Sequence, residues 1–296
     1  MDRHAEIDAA HDSLAHRWAT VIGVVVPFLG LLIAIWVSWG WGFTWIELTL
    51  LVVMYLATGL GVTVGWHRHF AHRSFETVRP IKFILGVLGS MSMQGPLFRW
   101  VATHRMHHRF SDQANDPHSP HRFGGGFFGV LAGWWHAHVG WVFGPQLTDL
   151  RRYVRDLQRD RLLRVVSRLF GVWVFLGLLA PTIVGGLLTG TWKGALLGFL
   201  WGGLVRIFLV HHVTWSINSI CHLWGQRSYP SKDESRNNFL CGLIALGEGW
   251  HNNHHAFPSS ARHGLRWWQI DASYLVIRLL SVLGLAWRLR LPGAVR

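Results

Sequence analysis

The residues of this chain best suited to chemistry are histidines. His104-Arg105-Met106-His107-His108 sets three imidazoles at i, i+3 and i+4, offsets that share one face of an α-helix because successive residues turn by about 100°. The spacing returns in His251-Asn252-Asn253-His254-His255, and His67 and His72 open the first long polar segment. Neutral imidazole suits iron, zinc, copper and nickel, and the lack of paired cysteines excludes a thiolate site. An isolated HxxHH could serve one zinc, but eight clustered histidines exceed what a single tetrahedral ion uses. The count points to two metals in one polynuclear site built by folding. His67 and His72, five apart, lie about 140° apart on an ideal helix and are expected to straddle a helix end rather than share a face. His69 between them is a weaker candidate.

Asn218 and His222 form a further pair at i and i+4. Asn218 either holds a water on a metal or caps polar backbone. Glu248, Asp112, Asp116 and Asp233 lie close in sequence to these histidines, and carboxylates there suit the task of orienting imidazoles by accepting their second ring N–H.

Elements that position such a site must be membrane elements. Half of the 296 residues are apolar, only 15% are charged, and 19 are tryptophan, which fits a membrane protein whose indoles sit at the lipid–water boundary. The net charge of +13 comes without any nucleic-acid-binding motif, and its cations flank apolar runs, so lipid headgroups are the expected counter-charge. Cys221 and Cys241 read as reduced packing residues. Residues 1–17, with His4, His11 and His16, show no signal-peptide pattern and read as a solvated lead.

The expected fold is an all-α integral membrane protein. Four stretches, 20–40, 43–65, 169–190 and 194–210, can each cross a core of about 30 Å and pair into two hairpins. The remainder, 66–168 and 211–296, forms a helical cap that holds the dimetal site, the whole reading as a single domain. Pro27 and Pro181 fall inside spans, and Arg206 is the one strong charge well inside a span. Arginines crowd the segment between spans two and three and nearly avoid the hairpin tips, which puts the cap and both termini in the cytosol. Residues 81–98 and 272–287 read as interfacial helices; six spans is the alternative.

The clusters resemble a known family. His67-Arg68-His69-Phe70-Ala71-His72, His104-Arg105-Met106-His107-His108 with Asp116-Pro117-His118, and Gly247-Glu248-Gly249-Trp250-His251-Asn252-Asn253-His254-His255-Ala256-Phe257-Pro258 are similar to the three histidine boxes of membrane fatty-acyl desaturases. The run from Asn218 to His222 is similar to that family's additional ligand pair. The resemblance implies a cytosolic non-haem diiron centre with His67, His72, His104, His107, His108, His222, His251, His254 and His255 as ligands and Asn218 bound through water. It implies two Fe ions, O₂ as co-substrate, and a saturated acyl chain that gains a cis double bond, Δ9 on a CoA thioester being the leading expectation. Gln94, Trp100, Thr214 and Trp215 match positions that line the kink of the substrate tunnel. A separate electron donor is implied, of ferredoxin, rubredoxin or cytochrome b5 type with its reductase.

Animal acyl-CoA members carry polar and basic residues where this chain has Gly95, Ala102, Pro145 and Gln146. Phosphate contacts would then fall to Arg99, Arg122, Arg151 or Arg152, and an acyl-lipid substrate is the second expectation. A diiron alkane or lipid hydroxylase comes next, and a membrane metal-binding or transport protein is the non-enzyme alternative. The Gly-rich stretch from Phe123 to Trp135 reads as a loop or interfacial turn without an assigned role.

Overall fold

The structure, a computed structural model, describes residues 14–41, 43–144 and 149–293. His4, His11, Pro145, Gln146 and the His16 side chain lie outside the described part. α1 (Leu14–Trp41) is followed by α2 (Trp45–Leu60), which starts at a capping box: the Thr44 hydroxyl caps the helix while Glu47 returns a carboxylate to the Thr44 N–H. α2 runs without a break into a π-helical stretch, Gly61–Ala71. Strand β1 (Glu76–Thr77), α3 (Arg79–Ser90) and α4 (Leu97–Phe110) follow. A 3₁₀ turn, Pro120–Phe123, leads into α5 (Gly126–His138), and another, Gly140–Phe143, leaves it. The short helices α6 (Leu150–Tyr153), α7 (Arg155–Gln158) and α8 (Arg161–Arg168) precede α9 (Phe170–Thr189). α10 (Trp192–Gly198), a second π stretch (Phe199–Val205) and α11 (Arg206–Ser219) form one long rod ending in a 3₁₀ turn, Ile220–His222. α12 (Phe239–Ile244), α13 (His251–Ala256), α14 (Ala272–Val282) and strand β2 (Ala286–Trp287) complete the order.

Among the described residues, four helices are long and apolar enough to cross a membrane: Arg17–Trp39, Trp45–Ala71, Phe170–Thr189 and Trp192–His222. The second and fourth continue past the ends expected at 65 and 210. They do so because the chain keeps helical hydrogen bonding through the first histidine box and through His211 and His212, and so carries ligand candidates on rods rooted in the apolar layer. Gly190, at φ +66°, ends α9 in the left-handed conformation that glycine tolerates best, and the Thr191 hydroxyl caps α10. The two helices then touch backbone to backbone, since a Cβ on Gly198 would lie 2.2 Å from the Pro181 carbonyl.

The expected helix over 81–98 is two helices. The chain turns at 91–96, where Met93 (φ +63°) and Gly95 (φ +88°) leave helical space and Pro96 opens α4. Arg206 secures this turn from inside the fourth span, donating to the carbonyls of Met91 (2.5 Å), Gly177 (2.9 Å) and Gly202 (3.2 Å). A buried cation is costly unless hydrogen-bonded, and these carbonyls do that work. The expected 272–287 helix stops at Val282, and the chain then pairs β2 antiparallel with β1, Glu76 opposite Trp287. Trp66, Phe70, Leu97, Val101, Val154, Leu163 and Val166 form the apolar cluster that fixes the π stretch, α4 and α8 together.

Candidate metal centre

The π winding corrects one expectation from sequence. The His72 N–H bonds to the His67 carbonyl at 3.1 Å, the i→i+5 pairing that stacks residues five apart above one another. His67 and His72 therefore share a face, with ring centroids 4.8 Å apart, where an α-helix would have splayed them. α4 presents His104, His107 and His108 opposite, and α13 adds His251, His254 and His255 from the far side of the chain.

These elements bring nine histidines into two groups. His67, His72, His104, His108 and His254 make one; His107, His222, His251 and His255 make the other; within each group the nitrogens lie within 4.8 Å of one another. Each HxxHH run divides between the groups: its first and last histidines, one turn apart, go to one and the middle histidine to the other. His69 joins neither, its Nδ1 lying 2.9 Å from the Phe75 carbonyl. Asn218, half-buried, lines the cavities beside the groups.

Carboxylates stand behind four of the rings. His107 Nδ1 is 3.0 Å from both oxygens of Asp116, His222 Nδ1 2.9 Å from Asp112, His255 Nδ1 2.6 Å from Asp233, and His67 Nδ1 touches Glu248. These are the four acids that sequence proximity singled out. Burial opposes charge on Asp112, but the hydrogen bond from His222 brings it down to about 2. Asp116, Asp233 and Glu248 are likewise held well below the usual carboxylate range, His107, His255 and the His67–Arg68 pair outweighing burial. A charged acceptor at Nδ1 keeps the proton there and turns the Nε2 lone pair inward.

The Nε2 atoms of the two groups converge. Nε2 of His67 lies 3.1 Å from Nε2 of His254, Nε2 of His72 is 2.7 Å from that of His104, and Nε2 of His222 is 3.1 Å from that of His251. Nε2 of His107 and of His255 is buried with no partner among the described residues. Burial, then the neighbouring imidazoles, push His72, His104, His108, His251 and His254 well below the ordinary imidazole range, so these rings stay neutral near pH 7. Two converging groups of imidazoles, with carboxylates behind four of the rings, are donor sets that could each hold a cation.

Sequence reasoning missed His263. Arg68 Nη2 donates to its Nδ1 at 3.1 Å, and its ring centroid lies 4.4 Å from His254 and 5.4 Å from His67. Arg68 also bridges Glu248 (3.0 Å) and Asp271 (2.8 Å) beneath the first group. His263 sits alone in a loop with no helical spacing to betray it. His118, which follows the second histidine run in the chain, packs on His107 with ring centroids 4.3 Å apart.

A cavity of about 450 Å³ leads to the histidines. Ala19, Thr20 and Gly23 of α1, Phe170 and Gly171 of α9, and Trp141 and Val142 form one end of its wall. Gln94, Trp100, Thr214 and Trp215, the four expected at a kink, line it together. Trp100 Nε1 donates to Gln94 Oε1 (3.0 Å), and Gln94 Nε2 donates to the Thr214 hydroxyl (3.0 Å), which donates to the Val210 carbonyl (2.7 Å). Both ends of the amide are thus fixed. A narrower second chamber shares Trp100, His104, Thr214 and Asn218 with the first and runs on to Tyr55 and Leu246. Of the cations considered for phosphate, Arg99 lines the cavity, while Arg122, Arg151 and Arg152 are exposed outside it.

Comparison with known proteins agrees with this geometry. The fatty acid desaturase family model matches residues 44–281. The chain is 46% identical over 272 residues to hex-5-enoyl-(acyl-carrier protein) acetylenase of Moorena producens (strain JHB), covering 91% of this chain and 85% of that one. It is 39% identical to the sn-1 stearoyl-lipid 9-desaturase of Synechocystis sp., with 84% and 74% covered, and 35% identical to the acyl-CoA C20 Delta5-desaturase of Anemone leveillei, with 86% and 77% covered. The chain belongs to the fatty acid desaturase family, a family of oxidoreductases.

Proposed function

We propose that this protein inserts a cis double bond into a saturated acyl chain held by a membrane glycerolipid, near the position named for the stearoyl-lipid relative. The observation that carries the reaction is the double group of converging imidazoles, four of them backed by carboxylates, at the meeting point of two apolar chambers. His67, His72, His104, His108 and His254 would hold one iron and His107, His222, His251 and His255 the other, with Asn218 placed to bind through water. Iron held there supplies the chemistry that couples reduction of O₂ to water with removal of two hydrogens from adjacent methylenes.

The protein's own part is positional. Acyl methylenes carry no charge to grip, so the site of attack is set by where the chain is held. The Gln94–Trp100–Thr214 relay makes a rigid polar corner in an otherwise apolar wall, and a chain threading both chambers passes beside His104 there. The glycerolipid reading is favoured by walls built from the N-terminal ends of α1 and α9, two helices long and apolar enough to cross a membrane. A CoA thioester is the second reading, favoured by Arg99 in that wall. The histidine side faces the cytosol in this reading, where a separate ferredoxin-, rubredoxin- or cytochrome b5-type donor delivers two electrons.

The test is product analysis in a host without its own desaturase, supplied with an electron donor and saturated fatty acids. A new monounsaturated chain, located by mass spectrometry of derivatised lipids, supports the reading. A hydroxylated product refutes it. The purified enzyme, offered phospholipid and acyl-CoA separately, decides between carriers.

A further inference from the structure

The helix between the second and third histidine runs takes no part in this chemistry. α5 reads Gly-Phe-Phe-Gly-Val-Leu-Ala-Gly-Trp-Trp-His-Ala-His, without one acid, lysine or arginine. Phe127, Leu131 and Trp135 recur at i, i+4 and i+8 with Phe128 beside them, and these are 76%, 50%, 59% and 81% exposed. One side of the helix is thus a bare aromatic stripe. The other side is anchored. Gly133 sits so close to Pro120 that a Cβ there would lie 1.8 Å from the Pro120 carbonyl. His138 is buried, its Nδ1 3.0 Å from the Ser219 hydroxyl and its Nε2 2.9 Å from His212, with Trp134 stacked on its ring. The stripe is therefore held in place rather than frayed.

Its surroundings identify what covers it. His212 belongs to the fourth span and packs on Phe208, which meets Phe28 of the first span at 6.1 Å. Phe28 is itself exposed on a helix long enough to cross a membrane, so the anchored side ties α5 to the first and fourth of the apolar helices. α5 runs directly into the turn whose Trp141 and Val142 line the cavity beside Thr20 and Phe170, near the starts of two spans. A rigid aromatic face without charges, level with span ends, fits the headgroup–acyl boundary of a bilayer.

We propose that α5 lies in the lipid interface and seats the mouth of the cavity against the bilayer, so that an acyl chain enters from the leaflet without crossing water. The entry route rests on the glycerolipid reading above; the lipid contact does not. The experiment places a nitroxide at Phe128→Cys in the full-length protein in phosphatidylcholine–phosphatidylglycerol nanodiscs. Phe175→Cys on α9 serves as the lipid reference and Lys232→Cys as the aqueous one. Accessibility to O₂ and to a water-soluble nickel chelate is read by power saturation. The Phe128 label should match Phe175, favouring O₂. A label that matches Lys232 overturns the proposal, and so does one shielded from both reagents, which would mark a protein partner or a second copy of this chain. Phe127→Ser with Phe128→Ser should then raise KM for vesicle-borne acyl chains several-fold while kcat and bound iron hold steady. An unchanged KM refutes the seating of the mouth. If no lipid is turned over by the parent enzyme, the substrate reading fails while the label still decides the placement of α5.

Discussion

Replacing Asp116 by Asn asks whether the anions behind the imidazoles set the strength of the centre. Oδ1 of Asp116 faces His107 Nδ1 and accepts the His118 backbone N–H (3.1 Å); Oδ2 faces His107 Nδ1 and accepts the Asp112 N–H (2.8 Å). An asparagine has the same outline, but one of its two ends is an NH₂ that must then face a backbone N–H. That leaves a buried donor unsatisfied, at a cost of about 1–3 kcal/mol in fold stability. The bond from His107 also changes from charge-assisted to neutral, a difference of roughly 1–1.5 kcal/mol. Only this second loss reaches the lone pair on His107 Nε2, so iron affinity should fall about tenfold, at the lower edge of what outer-shell changes typically cost. Chelator competition with iron quantified by mass spectrometry measures the affinity, and thermal unfolding of the metal-free protein measures the stability. A variant that binds iron as tightly as the parent, while His107→Ala does not, refutes the argument that Asp116 acts through ring basicity.

Thr214→Val removes the hydroxyl that fixes Gln94 and leaves its amide N–H₂ short of an acceptor; the corner should loosen and the products should spread over neighbouring double-bond positions, a single unchanged product counting against it. Lowering pH should weaken the metal-free protein. His255 is driven by burial to about 4 and His118 to about 3, from an ordinary 6.5. The unfolded chain therefore binds protons that the folded chain refuses, so this stability is complete above pH 6.5 and is lost as pH falls through about 4. Tm followed across that window in nanodiscs should drop, and a flat profile would contradict the burial argument. Arg206→Leu strips hydrogen bonds from three carbonyls, Met91 at the turn before α4, Gly177 in α9 and Gly202 one turn back on its own rod, and should cost about 3 kcal/mol, seen as a Tm several degrees lower. His107→Ala or His254→Ala should abolish turnover while the protein stays folded in the membrane; retained turnover removes that residue from the ligand set.

What was legible in the sequence was whatever depends on short-range periodicity. The i, i+3, i+4 runs specify a helix face, and the apolar lengths specify spans. The acids beside the histidines were readable because Asp116 lies nine residues from the ring it meets. Asp112 was readable only as a neighbour of the second box, since its partner His222 is 110 residues away. His263, Arg68 and Asp271 escaped because their meeting depends on the chain returning after α13, which no local spacing records. The shared face of His67 and His72 escaped for another reason. An ideal α-helix turns once every 3.6 residues, whereas the backbone from Gly61 to Ala71 is wound more widely. α5 was invisible as a helix because its glycines, which permit its close seat on Pro120, are residues that ordinarily speak against one.

The way the histidine runs divide between the groups has a consequence for assembly. α4 gives His104 and His108 to one group and His107 to the other; α13 gives His254 to one and His251 and His255 to the other. The two halves are therefore not separable modules joined at an edge but two readings of the same pair of rods. An ion that settles in either half locks the azimuth of both helices, and in doing so it has already aimed the imidazoles of the vacant half. Loading is expected to be all-or-none, with singly occupied protein scarce at every ratio of iron to chain.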